Sequence, residues 1–141
     1  LDVMNGTPGV GSTNTRIRRF LTVNTNTGEG VDWTFVQSAT LGDSVTILRS
    51  GVYSVYYLDF QQLNNGVFGV SINSTQLTTS ISAINTAHIF SSSMSSGSNY
   101  SAISQSRTSY IASSSVLRAH VSRGTFNNSD INNRLIIERI A

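Results

Sequence analysis

The sequence predicts an all-β domain, a sandwich of two antiparallel sheets with about ten short strands. Three observations lead there. From Thr15 onward the apolar residues recur with a period of two rather than about 3.6. β-branched and aromatic residues dominate, whereas good helix formers are scarce. Clusters of Gly, Asn and Ser punctuate the chain at short intervals.

Taken in order, residues 1–14 form a glycine- and polar-rich leader containing Gly6-Thr7-Pro8-Gly9. It is expected to be a linker or the end of a stalk, with the domain itself spanning 15–141. A single Gly-x-Pro triplet does not make a collagen helix, which needs glycine at every third position. Strands are expected over 15–24, 31–37, 44–49, 51–60, 66–73, 86–91, 99–104, 107–113, 115–122 and 134–140. Turn residues such as Thr27-Gly28, Leu41-Gly42-Asp43, Asn64-Asn65-Gly66 and Asn127-Asn128 separate them. Asn64-Asn65-Gly66 tolerates positive φ and lies between a strand ending at Phe60 and the alternating Phe68, Val70 and Ile72, so strands 51–60 and 66–73 are expected to pair as a hairpin. The tract 91–106 holds nine serines and reads as a loop or a polar strand pair.

Composition bounds the function. The 141 residues include 52 Ser, Thr or Asn and no cysteine, and all nine cationic side chains are arginine. A chain of this length supports one core. It opens on Leu1 without the basic start and apolar centre of a secretory signal, and reads as a fragment or mature piece. No apolar run approaches the roughly 20 residues of a membrane helix, so a soluble protein is expected. Without cysteine there is neither a disulfide framework nor a thiolate zinc site. A formal charge of +2 argues against nucleic acid, since only Arg16, Arg18 and Arg19 cluster. On a strand Arg16 and Arg18 share a face and Arg19 opposes them, which suits a solvated edge.

Strand 51–60 departs from the pattern of an ordinary sandwich, in which one face of each strand is apolar and the other polar. Tyr53, Val55, Tyr57 and Asp59 lie on one side, and Val52, Ser54, Tyr56, Leu58 and Phe60 on the other. The last strand is also two-sided, with Leu135 and Ile137 opposite Ile136 and Ile140. A second apolar face needs cover: another copy of the chain, the leader, or the Ser-rich tract. The first is expected, with Val52, Ser54, Tyr56, Leu58, Phe60, Ile136 and Ile140 at the contact.

The run Gly51-Val52-Tyr53-Ser54-Val55-Tyr56-Tyr57 resembles the globular heads of the complement and tumour necrosis factor jelly-roll superfamily. The later Gly69-Val70-Ser71-Ile72-Asn73 and the closing Arg134-Leu135-Ile136-Ile137-Glu138-Arg139-Ile140 fit the same pattern. Together with Asn14-Thr15-Arg16-Ile17-Arg18-Arg19-Phe20 and Asp43-Ser44-Val45-Thr46-Ile47, these runs are also similar to C-terminal domains of tail or head fibres of tailed bacteriophages. The resemblance implies a jelly-roll homotrimer at the tip of a virion fibre, touching a bacterial surface glycan or protein receptor, or another virion component. Related domains often carry a Gly-Asp turn before the penultimate strand. Here that region reads Ser113-Ser114-Ser115-Val116, and the one Gly-Asp is Gly42-Asp43, which removes a reason to expect calcium.

Catalysis finds little footing. His88 and His120 stand far apart in sequence, with no cysteine and no Gly-x-Ser-x-Gly elbow. His120, on the more polar side of its strand, reads as a solvated histidine. The seven carboxylates, Asp2, Glu29, Asp32, Asp43, Asp59, Asp130 and Glu138, are dispersed. Asp32 and Asp59 are the pair that a fold could bring together for glycoside chemistry. No Asp-x-Asp-x-Asp or His-x-His motif suggests a metal, and no cofactor is expected. Trp33 shares a face with Val31 and Phe35 and is assigned to the core. The Asn-x-Ser/Thr sites at Asn5, Asn73, Asn99 and Asn127 arise readily by chance in this composition. Hydroxyl and amide groups beside a few aromatic and arginine side chains suit saccharide recognition as well as plain solubility. His88, Asn99, Tyr100, Arg107 and Asn127 are the candidate receptor contacts. The expectation is a non-enzymatic binding domain; a free carbohydrate-binding or adhesin module and a polysaccharide depolymerase are the alternatives.

Overall fold

A computed structural model of the chain describes residues 1–61, 66–94, 101–122 and 128–141. Among these, the strands are β1 (Asp2–Met4), β2 (Thr22–Thr25), β3 (Trp33–Val36), β4 (Ser44–Ile47), β5 (Gly51–Gln61), β6 (Val67–Ile72), β7 (Ile89–Met94), β8 (Ser101–Ile111), β9 (Val116–Val121) and β10 (Arg134–Arg139). They form two antiparallel sheets of five strands, ordered β2-β1-β10-β5-β8 and β3-β4-β9-β6-β7. The helical content described is confined to short 3-10 turns at Ile81–Ala83, Thr86–His88 and Asn128–Asn132. The expected all-β sandwich is what the chain adopts.

The core follows from period-two alternation. Tyr53, Val55 and Tyr57 of β5 and Leu135 and Ile137 of β10 point inward from the first sheet. Phe68 and Val70 of β6, Leu117, Ala119 and Val121 of β9, and Val45 and Ile47 of β4 face them from the second. Trp33 is buried as expected, with its indole packed over Gly28 and its Nε1 donating to Asn26 Oδ1 at 2.8 Å.

Several expected elements differ. The hairpin of 51–60 with 66–73 does not form. β5 pairs with β10 and β8, whereas β6 pairs with β7 and β9 in the other sheet. Tyr57 and Phe68 meet across the core, edge to face, with ring centroids 5.6 Å apart. A turn signal between two alternating runs is equally compatible with a crossover between sheets, and opposing two apolar faces buries more than placing them side by side. The turn residues 62–65 lie outside the described residues. The described parts of the runs expected as strands 99–104 and 107–113 join in one continuous strand, β8, paired with β5 along its whole length. The expected strand over 86–91 starts only at Ile89, after the turn Thr86–His88.

Residues 1–14, expected as linker or stalk, run through the domain. Leu1 and Val3 are buried, and β1 sits between β2 and β10. Alternation at these two apolar positions outweighs the polar composition around them. The expected strand 15–24 is regular only over Thr22–Thr25. Upstream, Ile17 bridges His120, Arg18 N donates to Ala119 O, and Val121 N donates to Arg16 O, so 16–18 lies alongside β9.

Arg18 is the largest departure from expectation. Rather than lining a solvated edge, its side chain is fully buried. Its Nε donates to Asp59 Oδ2 at 3.0 Å, and its Nη2 to Asp59 Oδ1 and, at 3.2 Å, to Asp130 Oδ1. Nη1 donates to Gly6 O at 3.3 Å. The Tyr57 hydroxyl and Phe60 N also donate to the Asp59 carboxylate. Burial alone would lower the guanidinium's affinity for its proton, but the two carboxylates outweigh it and raise it. Burial, then the Asp59 charge, pushes the Tyr57 phenol well above its ordinary value. Removing one partner of a buried ion pair leaves the other unpaired, at about 3–5 kcal/mol. Arg18→Met is therefore expected to lower unfolding free energy by about that amount in urea denaturation, with Arg18→Lys intermediate because it keeps the charge but not the fork. A change below about 1 kcal/mol for Arg18→Met would show the cluster to be dispensable.

Candidate functional site

The candidate site is the outer face of the first sheet. Side chains along β5 alternate, so Val52, Ser54, Tyr56, Leu58 and Phe60 all project away from the core, each half-buried in the single chain. The pairing register brings the other expected contact residues beside them. Ile136 lies opposite Tyr56, and Ile140, 56 % exposed, donates its N–H to Val52 O at 2.7 Å. All seven residues expected at a contact between copies thus occupy one surface.

β8 adds an outward row of Ala102, Ser104, Ser106, Thr108 and Tyr110, opposite Phe60, Leu58, Tyr56, Ser54 and Val52. Tyr110 is 65 % exposed. With Tyr56, Leu58, Phe60 and Ile136 it makes a wide apolar surface whose polar groups are mostly small hydroxyls. Sequence reasoning missed Tyr110, because nothing in the expected strand 107–113 marks it as the partner of β5. It missed Met4 for a related reason: β1 was not expected, yet it places Met4 opposite Arg134 on the same face.

An ion pair borders this face. Arg134 Nε donates to Asp2 Oδ1 at 2.8 Å, and its Nη2 to Asp2 Oδ2, a bidentate arrangement. The hydrogen bond from Arg134 holds the Asp2 carboxyl below its ordinary value of 3.8, against the opposing effect of burial.

Of the candidate receptor contacts, His88 and Arg107 fall among the described residues. His88 closes the turn Thr86–His88, with Nδ1 3.0 Å from Ile72 O. Arg107 lies midway along β8, opposite Val55, and is exposed. Its guanidinium lies 5.0 Å over the Phe90 ring and donates to Phe90 O, linking the sheet edges β8 and β7. Asn99, Tyr100 and Asn127 lie outside the described residues.

The Asp32 and Asp59 carboxylates are not brought together. Asp59 is inside the Arg18 cluster, and Asp32 is 3.6 Å from Arg139. His120 is completely buried rather than solvated, with Nε2 2.7 Å from Thr79 O. Among the described residues there is no group of three His, Cys, Asp or Glu side chains able to hold a metal, and no cavity.

The rim carries a checkable consequence. A depressed carboxyl contributes stability above about pH 3.8 that is lost as the pH falls through its lowered value. NMR titration of Asp2 is expected to give a midpoint below 3.8, moving upward in Arg134→Gln. An unmoved midpoint would mean that the pair does not hold in solution.

No protein-family model matches this chain, and no curated protein matches it in sequence. Solved structures do match. The crystal structure of murine APRIL at pH 8.0 superposes with a TM-score of 0.64 at 10 % identity, over 99 % of this chain and 97 % of that one. The crystal structure of murine APRIL at pH 8.5 gives a TM-score of 0.53 at 11 % identity over the same shares. At this identity the likeness concerns the fold, and the fold of this chain is a tumour-necrosis-factor-like jelly roll.

Proposed function

We propose that this chain is a non-enzymatic, homotrimeric receptor-binding domain whose subunits mate through the outer face of the β2-β1-β10-β5-β8 sheet. One observation carries the reading: β5, an interior strand of that sheet, turns Tyr56, Leu58 and Phe60 outward beside Ile136 while its other face is already committed to the core. A contiguous apolar surface on a rigid sheet is the form that an isologous or cyclic contact between copies takes. The number of copies, three, comes from the fibre-domain resemblance of the sequence.

On this reading the assembled domain sits at the tip of a bacteriophage tail or head fibre, on the virion, and its polar loops meet a bacterial surface glycan or protein, or another virion protein. Support comes from the runs Asn14–Phe20, Asp43–Ile47 and Asn133–Ile140 and from a composition rich in hydroxyl and amide groups. His88 and Arg107, the latter exposed on β8, are the candidate contacts among the described residues.

Tyr56→Asp places a charge in the proposed contact without a partner. By light scattering it is expected to lower the mass of a folded particle roughly threefold, with circular dichroism still of β type. A variant of unchanged mass would remove this face from the interface. Incubation with intact capsular polysaccharide or lipopolysaccharide tests the receptor reading: a binder is retained with glycan length unchanged. Shortened chains would instead identify a depolymerase.

A further inference from the structure

The part of the second sheet's outer face formed by β6 and β9 is covered by the chain's own segment 73–88, a strap between β6 and β7. The ends of the strap are tied to strands. Asn73 N donates to Val116 O, Val116 N donates to Asn73 Oδ1, and His88 meets Ile72 O. Between these ties, Ile81 is fully buried and lies over Gly69, where the absence of a side chain makes room: a Cβ there would sit 2.9 Å from Ile81 Cδ1. Ile84 is buried as well. The body of the domain reaches the middle of the strap through Arg16 N, which donates to Leu77 O at 3.2 Å, and through His120 Nε2, 2.7 Å from Thr79 O.

His120 is unusual in this setting. A carbonyl oxygen only accepts, so Nε2 carries the ring proton, and Nδ1 is left buried with no hydrogen-bond partner. The charged groups that bear on the ring are both cationic, Arg118 from β9 and Arg16 from the segment alongside it. β6 carries no titratable residue, and the strap carries only His88, whose Nδ1 is engaged with Ile72 O. Among the described residues no carboxylate contributes to the field at the ring.

We propose that His120 is a proton-operated latch, and that its protonation in mildly acidic conditions lifts the strap 73–88 from the outer face of the second sheet. An imidazolium here would be buried beside two guanidiniums, with a new N–H that has no acceptor. Movement of the strap gives it water. The direction of the shift agrees: burial, helped by Arg118 and Arg16 and opposed by the Thr79 bond, holds the imidazole below its ordinary 6.5. The opened form therefore takes up the proton more readily, so closure is at full strength above pH 6.5 and weakens as the pH falls below it.

Hydrogen–deuterium exchange of the amides in 74–84, on the intact chain and corrected for the intrinsic effect of pH, tests this between about pH 7.5 and 5. Opening is expected to increase below pH 6.5 by up to about tenfold per pH unit, the limit for one proton, while β5 and β10 keep their protection. His120→Gln keeps a donor for Thr79 O without a titrating ring, and its strap is expected to respond little. Equal protection of the parent strap at both pH values, loosening of the whole domain together, or an acid response in His120→Gln like that of the parent would each overturn the proposal. Should that variant not fold, NMR titration of the parent decides. His120 ring signals and strap amides following one curve support the latch, and strap opening while His120 stays neutral contradicts it.

Discussion

The buried guanidinium of Arg18 organises one end of the sandwich. It is held by a carboxylate at the end of β5 and another in the turn before β10, and it also reaches the Gly6 carbonyl of the N-terminal segment. Segments distant in sequence therefore converge on one charge. A buried ion pair contributes less net stability than its Coulomb attraction suggests, because both ions lose water. Its strength is geometric: the fork accepts one arrangement of Asp59, and Asp59 in turn takes the Tyr57 hydroxyl and Phe60 N. The cluster thus ties down the stretch of β5 from which Leu58 and Phe60 project outward.

That connects the interior to the exposed surface. Inward, β5 supplies three large side chains to the core. Outward, it lies flanked by β10 and β8 in full register, so its apolar row is not at an edge of the sheet. Arg107 and Gln105 reach across from β8 to Phe90 O and Phe68 O, joining the two sheets beside the open edge of the sandwich. The second sheet has the outer face of β6 and β9 screened by the strap 73–88. Among the described residues the two faces of the sandwich are thus unequal: part of one is covered by the strap, and the other presents Tyr56, Leu58, Phe60 and Ile136 outward.

Much of this was legible in the sequence. The two-sided pattern of Val52 to Phe60 is a property of alternation alone, and it located the apolar face before any pairing was known. Trp33 was legible as core for the same reason. What alternation does not encode is which strand lies beside which. The Asn64-Asn65-Gly66 signal is local, so it could not distinguish a hairpin from a crossover between sheets. Arg18 and His120 are polar residues in strand-like runs, and outward placement is the ordinary expectation for both. Their burial depends on Asp59 and Asp130 in one case and on Thr79 in the other, partners that lie 40 or more positions away. The serines before Arg107 resemble punctuation, whereas paired with β5 they form an ordinary exposed strand face.

The central claim is that the outer face of the β5 sheet is a contact between copies of the chain. Sedimentation equilibrium of the unaltered chain over a wide micromolar concentration range tests it most directly. A mass near three times the 15.2 kDa of one chain, independent of concentration, is the expected result. A folded species of 15.2 kDa throughout that range would contradict it.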